Sequence, residues 1–150
     1  MKNQSTVYPV RLGDRPLYAF LVQFPVVCFV GTLLSDVAYW RTQLFTWETF
    51  SVWLVTAGCV MAGIAGIVGL VSFFGDRRAR AWRFAWPHAL ASLAAALLSV
   101  VNAFVHSRDG YTAVVPDGLI LSALVVLLMA LAAWLGWHRT DPVPRVGVVV

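Results

Sequence analysis

The sequence predicts an all-α integral membrane protein, an up-down bundle of four transmembrane helices. Three observations predict it. The chain of 150 residues is 60% hydrophobic and only 12% charged, with a mean hydropathy of +0.78, whereas a soluble domain carries about 25% charged residues. Its apolar residues gather into four runs, each near or above the roughly 20 residues that a helix needs to cross a ~30 Å hydrocarbon core. Its 11 lysines and arginines lie between those runs and not within them. The basic pI of about 9.6 therefore reflects loops beside a membrane and implies no nucleic-acid partner. A patch that recognises anionic lipid or a partner's acids is the functional alternative.

The elements follow in order. Residues 1–14 are a polar tail without an apolar stripe. The first span, 16–40, is too long for the apolar region of a signal peptide and no small-residue cleavage site follows it, so it is expected to stay. The loop 41–47 leads to a second span at 49–74, with Thr46-Trp47-Glu48 as a helix-starting turn whose acid suits the dipole. After the Arg-rich turn comes a third span at 86–106, with Pro87 in its first turn, where a missing N–H costs nothing. Ser107-Arg108-Asp109-Gly110 reads as a turn, and the fourth span runs from 113 to 137 with Pro116 near its start. The tail 138–150, broken by Pro142 and Pro144, is irregular, which leaves a single membrane domain.

Orientation follows from the basic residues. Lys2, Arg11, Arg15, Arg77, Arg78, Arg80, Arg83, Arg139 and Arg145 fall on one side, against Arg41 and Arg108 on the other. Basic loops stay inside, so both termini are expected in the cytoplasm of a multi-pass inner-membrane protein. Trp40, Trp47 and Trp53 would form the outer aromatic belt, and Trp82, Trp86, Trp134 and Trp137 the inner one.

Packing is expected from small residues. Gly58, Ala62, Gly66 and Gly69 form a ladder in span two, and Ala91, Ala95, Ser99 and Ala103 form one in span three. Such ladders let backbones approach where lipid offers no hydrophobic drive. Spans two and three are expected to pack tightest, so bulk at Gly66 would separate them. Association of one ladder with a second protomer is the alternative, making a homo-oligomer or a membrane protein partner possible besides the bilayer itself.

Few polar residues remain for chemistry. Tyr18, Pro25, Thr32 and Asp36 share a helical face with Cys28, and Pro25 removes one backbone bond there. Asp36, about a turn inside the outer boundary, either bonds Thr32, Asn102 or His106 to fasten the bundle, or is a proton or ligand site. Gln23, Asn102 and His106 complete the intramembrane polar set. Cys28 and Cys59 read as packing residues rather than a disulfide. Of the three histidines, only His88 and His138 share a depth, so a b-type haem would have to use that pair. There is no metal-ligand spacing, nucleophile elbow, phosphate loop or carboxylate pair, so neither a metal nor a catalytic residue is expected.

These residues resemble a known family. The run Tyr18-Ala-Phe-Leu21-Val22-Gln23-Phe24-Pro25-Val26 is similar to the motif H-P-x-L-V-H-F-P-I that opens the first span of the bacterial membrane proteins grouped as domain of unknown function 2231. Leu21, Val22, Phe24 and Pro25 match, while Tyr18 and Gln23 stand where the family has histidines. Asp36 falls where the family usually has an acid, and Trp86 with His88-Ala-Leu resembles its third-span start. Ala133-Trp-Leu-Gly136 and Arg145-Val-Gly-Val148 resemble its C-terminal ending, without the histidine found there. The resemblance implies four helices, an inner-membrane location and no particular reaction. Its histidines invite a haem, which their replacement here disfavours. The function expected is a non-catalytic accessory or interaction subunit with no cofactor. Rivals are a haem b or quinone-linked electron carrier using His88 and His138, and a small proton or solute conductor through Asp36.

Overall fold

Each apolar run folds as one helix, because a backbone in lipid has no water to satisfy its N–H and C=O groups. The computed structural model describes residues 16–75, 83–108 and 111–137. They form α1 (Pro16–Thr42), α2 (Phe45–Gly75), α3 (Ala85–His106) and α4 (Asp117–Trp137), with a short 3-10 turn at Tyr111–Ala113. All four helices are long and apolar enough to cross a membrane. Arg77, Arg78 and Arg80 of the turn, together with Trp82, His138 and both tails, lie outside the described residues.

Two helix starts differ from expectation. α2 begins at Phe45 and not at residue 49, because Thr46-Trp47-Glu48 is already helical with Glu48 in the first turn. Only Gln43 and Leu44 separate it from α1. Gln43 takes a left-handed backbone (φ 53°) and donates its N–H to the Tyr39 carbonyl at 2.7 Å, a helix-ending conformation that turns the chain. α4 begins at Asp117 and not at residue 113. A residue before proline disfavours helical angles, so Val115 ends the approach and the helix starts beyond Pro116. Within α1, the helix passes through Pro25 unbroken.

The four helices form a ring in which α1 lies beside α2 and α4, and α3 beside α2 and α4. The 43–44 link and the 107–116 connection share one end, called the upper end here. Buried positions recur in steps of four and three, the spacing of a bundle seam. In α1 the seam runs through Pro25, Phe29, Thr32, Asp36 and Tyr39, with Ser35 buried beside it, and in α2 through Glu48, Ser51, Val55 and Gly58, with Ala65 buried further down. The opposite faces carry large apolar side chains such as Val27, Leu34, Ile67, Leu97 and Leu127. Lipid does not penalise exposed leucine, so the bundle keeps its small and polar residues inside. Phe29, Val55 and Val125 form an apolar cluster at mid-bundle, while Tyr39, Ala113 and Val114 form another near the upper end.

The small residues mediate close approach, but not between the expected partners. α1 with α2 and α3 with α4 are the intimate pairs, in place of the α2–α3 core. A Cβ at Gly58 would lie 2.5 Å from Phe29 Cε1 and 3.1 Å from Cys28 Cβ, and one at Gly69 would lie 3.0 Å from Tyr18 Cε2. All three neighbours belong to α1. Gly66 faces open space, and Ala62 packs partly buried against the mid-bundle cluster. The reason is angular. Residues four apart advance about 40° round a helix, so Gly66 is turned about 80° from Gly58, whereas Gly69 returns to within about 20°. In α3, Ala91, Ala95 and Ser99 are buried, and Ser99 Oγ meets Cys59 Sγ at 3.5 Å across to α2.

Candidate functional site

One to two turns below the upper end, each helix contributes one polar residue to a common level. Asp36 stands six residues before the end of α1 and Ser51 six after the start of α2, about 9 Å along either helix. Asn102 stands four before the end of α3, and Ser122 five after the start of α4. All four are buried, Asp36 and Ser51 completely.

The Asp36 carboxyl ties the other helices together. The Ser51 hydroxyl donates to Oδ1, and the Ser122 hydroxyl donates to Oδ2 at 2.5 Å. His106 Nε2 lies 2.9 Å from Oδ1. Asn102 Nδ2 in turn donates to Ser122 Oγ at 2.9 Å. Because the Ser122 hydrogen already points at Asp36, its oxygen must accept here, and that fixes the orientation of the Asn102 amide. Asn102 Oδ1 is left buried without a hydrogen-bond partner.

The imidazole of His106 lies between two acceptors. Its Nδ1 is 3.0 Å from the Asn102 backbone carbonyl, which can only accept, so Nδ1 carries a hydrogen. Its Nε2 faces a carboxyl oxygen. One proton therefore lies between Nε2 and Oδ1. Held on nitrogen, it makes an imidazolium–carboxylate pair; held on oxygen, a neutral imidazole and acid. In both forms the pair has no net charge, which removes most of the cost of an isolated acid in the membrane, ~2.5–3.5 kcal/mol at the bilayer centre and less this near its boundary. Gly118 makes room for the ring, since a Cβ there would lie 2.7 Å from His106 Cε1. Glu48, one turn above Ser51 on the same face of α2, is also buried and within electrostatic reach of His106.

The other sequence-predicted residues are placed differently. Thr32 is buried, but its hydroxyl donates to the Cys28 carbonyl of its own helix at 2.9 Å rather than to Asp36. Its own carbonyl accepts a long bond from Ser51 at 3.5 Å. Tyr18 packs on Gly69 near the lower end. Gln23 is exposed on the lipid side, because two residues before buried Pro25 is about 200° away round the helix. His88 stands at the lower end, where its Nδ1 donates to the Ala132 carbonyl at 2.9 Å and its ring lies 3.6 Å from where a Gly136 Cβ would be. It is thereby a strap between α3 and α4. His138, its suggested haem partner, lies outside the described residues. Cys28 and Cys59 carry free thiols.

Sequence reasoning did not single out Ser51 or Ser122, and it read Glu48 only as the acid of a helix-starting turn. Serines in apolar runs are common, and only counting each one's distance from the nearest turn reveals that they match Asp36 in depth. The assembled group can hold and exchange a proton between Asp36 and His106. Both serine hydroxyls are directed at the carboxyl and not at an imidazole base, so they lack the arrangement of an activated nucleophile. Among the described residues no three His, Cys, Asp or Glu side chains converge as a metal site.

No curated protein and no solved structure matches the chain. Residues 14–147, all four helices included, match the family described as predicted membrane protein (DUF2231), and the chain belongs to that family.

Proposed function

We propose that the protein is a non-catalytic accessory or interaction subunit of a membrane complex, seated in the inner membrane with both termini in the cytoplasm. The supporting observation is the polar layer itself. Its side chains answer mainly one another, joining Asp36 to all three other helices, and the apolar Phe29–Val55–Val125 cluster lies below. Such a layer fixes helix register, the best-attested use of buried polar groups in a bundle. The bundle is then a rigid body that offers its lipid-facing sides to a partner.

Native electrophoresis of gently solubilised membranes tests this reading. The chain is expected to migrate in an assembly containing a second polypeptide, and the chain purified with ample haem is expected to be colourless. Migration as a lone chain contradicts the accessory role. A stoichiometric haem band lost in His88→Ala replaces it with the electron carrier.

The orientation rests on the basic asymmetry, while exposed tryptophans at both ends, Trp40, Trp47 and Trp53 above, Trp86, Trp134 and Trp137 below, mark the two interfaces. At the upper end Arg41 lies over the Trp40 ring, 5.4 Å from its centre. In intact cells a membrane-impermeant thiol reagent is expected to label a cysteine placed at Thr42 and to miss one placed at Ala79. The reverse pattern inverts the topology.

A further inference from the structure

The polar layer combines three features that a purely structural fastening does not need. It holds a pair, Asp36 and His106, with one proton shared between Oδ1 and Nε2. It carries an acceptor in excess, Asn102 Oδ1, buried and without a hydrogen-bond partner, so one more donor can be accommodated. It also lies nearer the upper end than the lower, with Glu48, a second buried acid, above it, and with apolar clusters on both sides, Tyr39–Ala113–Val114 above and Phe29–Val55–Val125 below.

Among the described residues, the titratable groups buried near the pair are few. α1 supplies Asp36 itself and buried Tyr39, α2 supplies Glu48, and α3 supplies His106. The buried residues of α4 are Gly118, Ser122, Val125, Ala132 and Leu135, none of them charged. Its Asp117 is exposed and faces Arg108 at 3.7 Å.

We propose that the layer is a proton-binding site served from the nearer, upper end, with Glu48 as the group through which the proton enters. Protonated water gives a proton to the Glu48 carboxylate, which passes it to the Asp36–His106 pair and is left unchanged. Water is released, no electrons move, and the pair goes from no net charge to a single positive charge with both partners protonated. The water that delivers the proton also has hydrogens to offer Asn102 Oδ1. The lower apolar cluster stops the proton from travelling further, so the site senses acidity on one side and does not conduct.

The test uses the full chain with His88→Gln and His138→Gln, which leaves His106 as the one histidine of the original three. Histidine is labelled with nitrogen-15 and aspartate with carbon-13 in lipid bilayers, and magnetic resonance follows a titration from about pH 8 to about pH 4, the span over which histidines and carboxylates exchange protons. The His106 ring and the Asp36 carboxyl are expected to shift together in one step, and Glu48→Gln to slow the exchange severalfold while leaving both end states in place. Signals that stay still while the protein remains folded overturn the proposal, as do signals that move independently. Infrared difference spectra of the unsubstituted protein provide the same test without reliance on any variant: an acid-induced band from a buried carboxyl, unaffected by Asp117→Asn, is expected, and no such band overturns it. Vesicles with a pH gradient test the one-sidedness. No flux is expected, and a flux that Asp36→Asn removes makes the protein a conductor instead.

Discussion

Asp36→Ala is expected to cost the folded bundle about 2–5 kcal/mol. The lower figure follows from three lost hydrogen bonds at the roughly 0.6 kcal/mol each that such bonds average inside membranes. The upper figure follows from breaking a buried charge pair and leaving one partner unpaired. Ser51, Ser122 and His106 would all lose their common acceptor. Asp36→Asn should be milder, because an amide retains the shape, accepts from a serine and donates to a neutral imidazole. Asp117→Ala is the control, since that acid is exposed and its contact with Arg108 is long, so a change within about 0.5 kcal/mol is expected. Reversible unfolding in lipid bicelles measures all three. Equal losses for Asp36→Ala and Asp117→Ala would remove Asp36 from the centre of the account.

Gly58→Leu is expected to be the second large effect. Even a Cβ would meet the Phe29 ring at 2.5 Å and the Cys28 Cβ at 3.1 Å, so the buried ring and α1 itself would have to shift. Overpacking of this kind costs about 1–3 kcal/mol, and more where backbone must move. Gly66→Leu adds the same bulk on a face with nothing within 4 Å, and should change stability by no more than about 0.5 kcal/mol, as surface substitutions do. Thermal unfolding of the two variants in one detergent gives the comparison. Similar losses for both would return the ladder to the α2–α3 interface.

The two glycines also show how far the sequence can be read. Helix number, length and order are legible because lipid enforces long apolar runs, and the four runs became four helices. The helix faces are harder to read. In water the buried side announces itself as apolar, but in lipid both sides are apolar, and only size and polarity distinguish them. The spacing of four that linked Gly58 to Gly66 is a near repeat of the helix and drifts off the face, whereas the steps of four and three through Thr32, Asp36 and Tyr39 hold it. His106 was legible as a possible partner of Asp36, since the two lie at similar depth on helices that both end nearby. Ser51 and Ser122 were not, because a hydroxyl inside an apolar helix more often bonds its own backbone, as Thr32 does to Cys28. The pairing of α1 with α2 has a simple cause that the sequence did contain: a link of two residues leaves those helices no choice but to lie side by side.

The claim that Asp36 and His106 hold the layer as a pair is tested most directly by a double-mutant cycle. Asp36→Ala, His106→Ala and the double variant are compared with the unsubstituted chain in reversible unfolding at neutral pH. The second substitution is expected to cost much less once the first is made, with a favourable coupling of about 1–3 kcal/mol. Losses that simply add, to within about 0.5 kcal/mol, would contradict it and reduce the pair to two polar residues that happen to be neighbours.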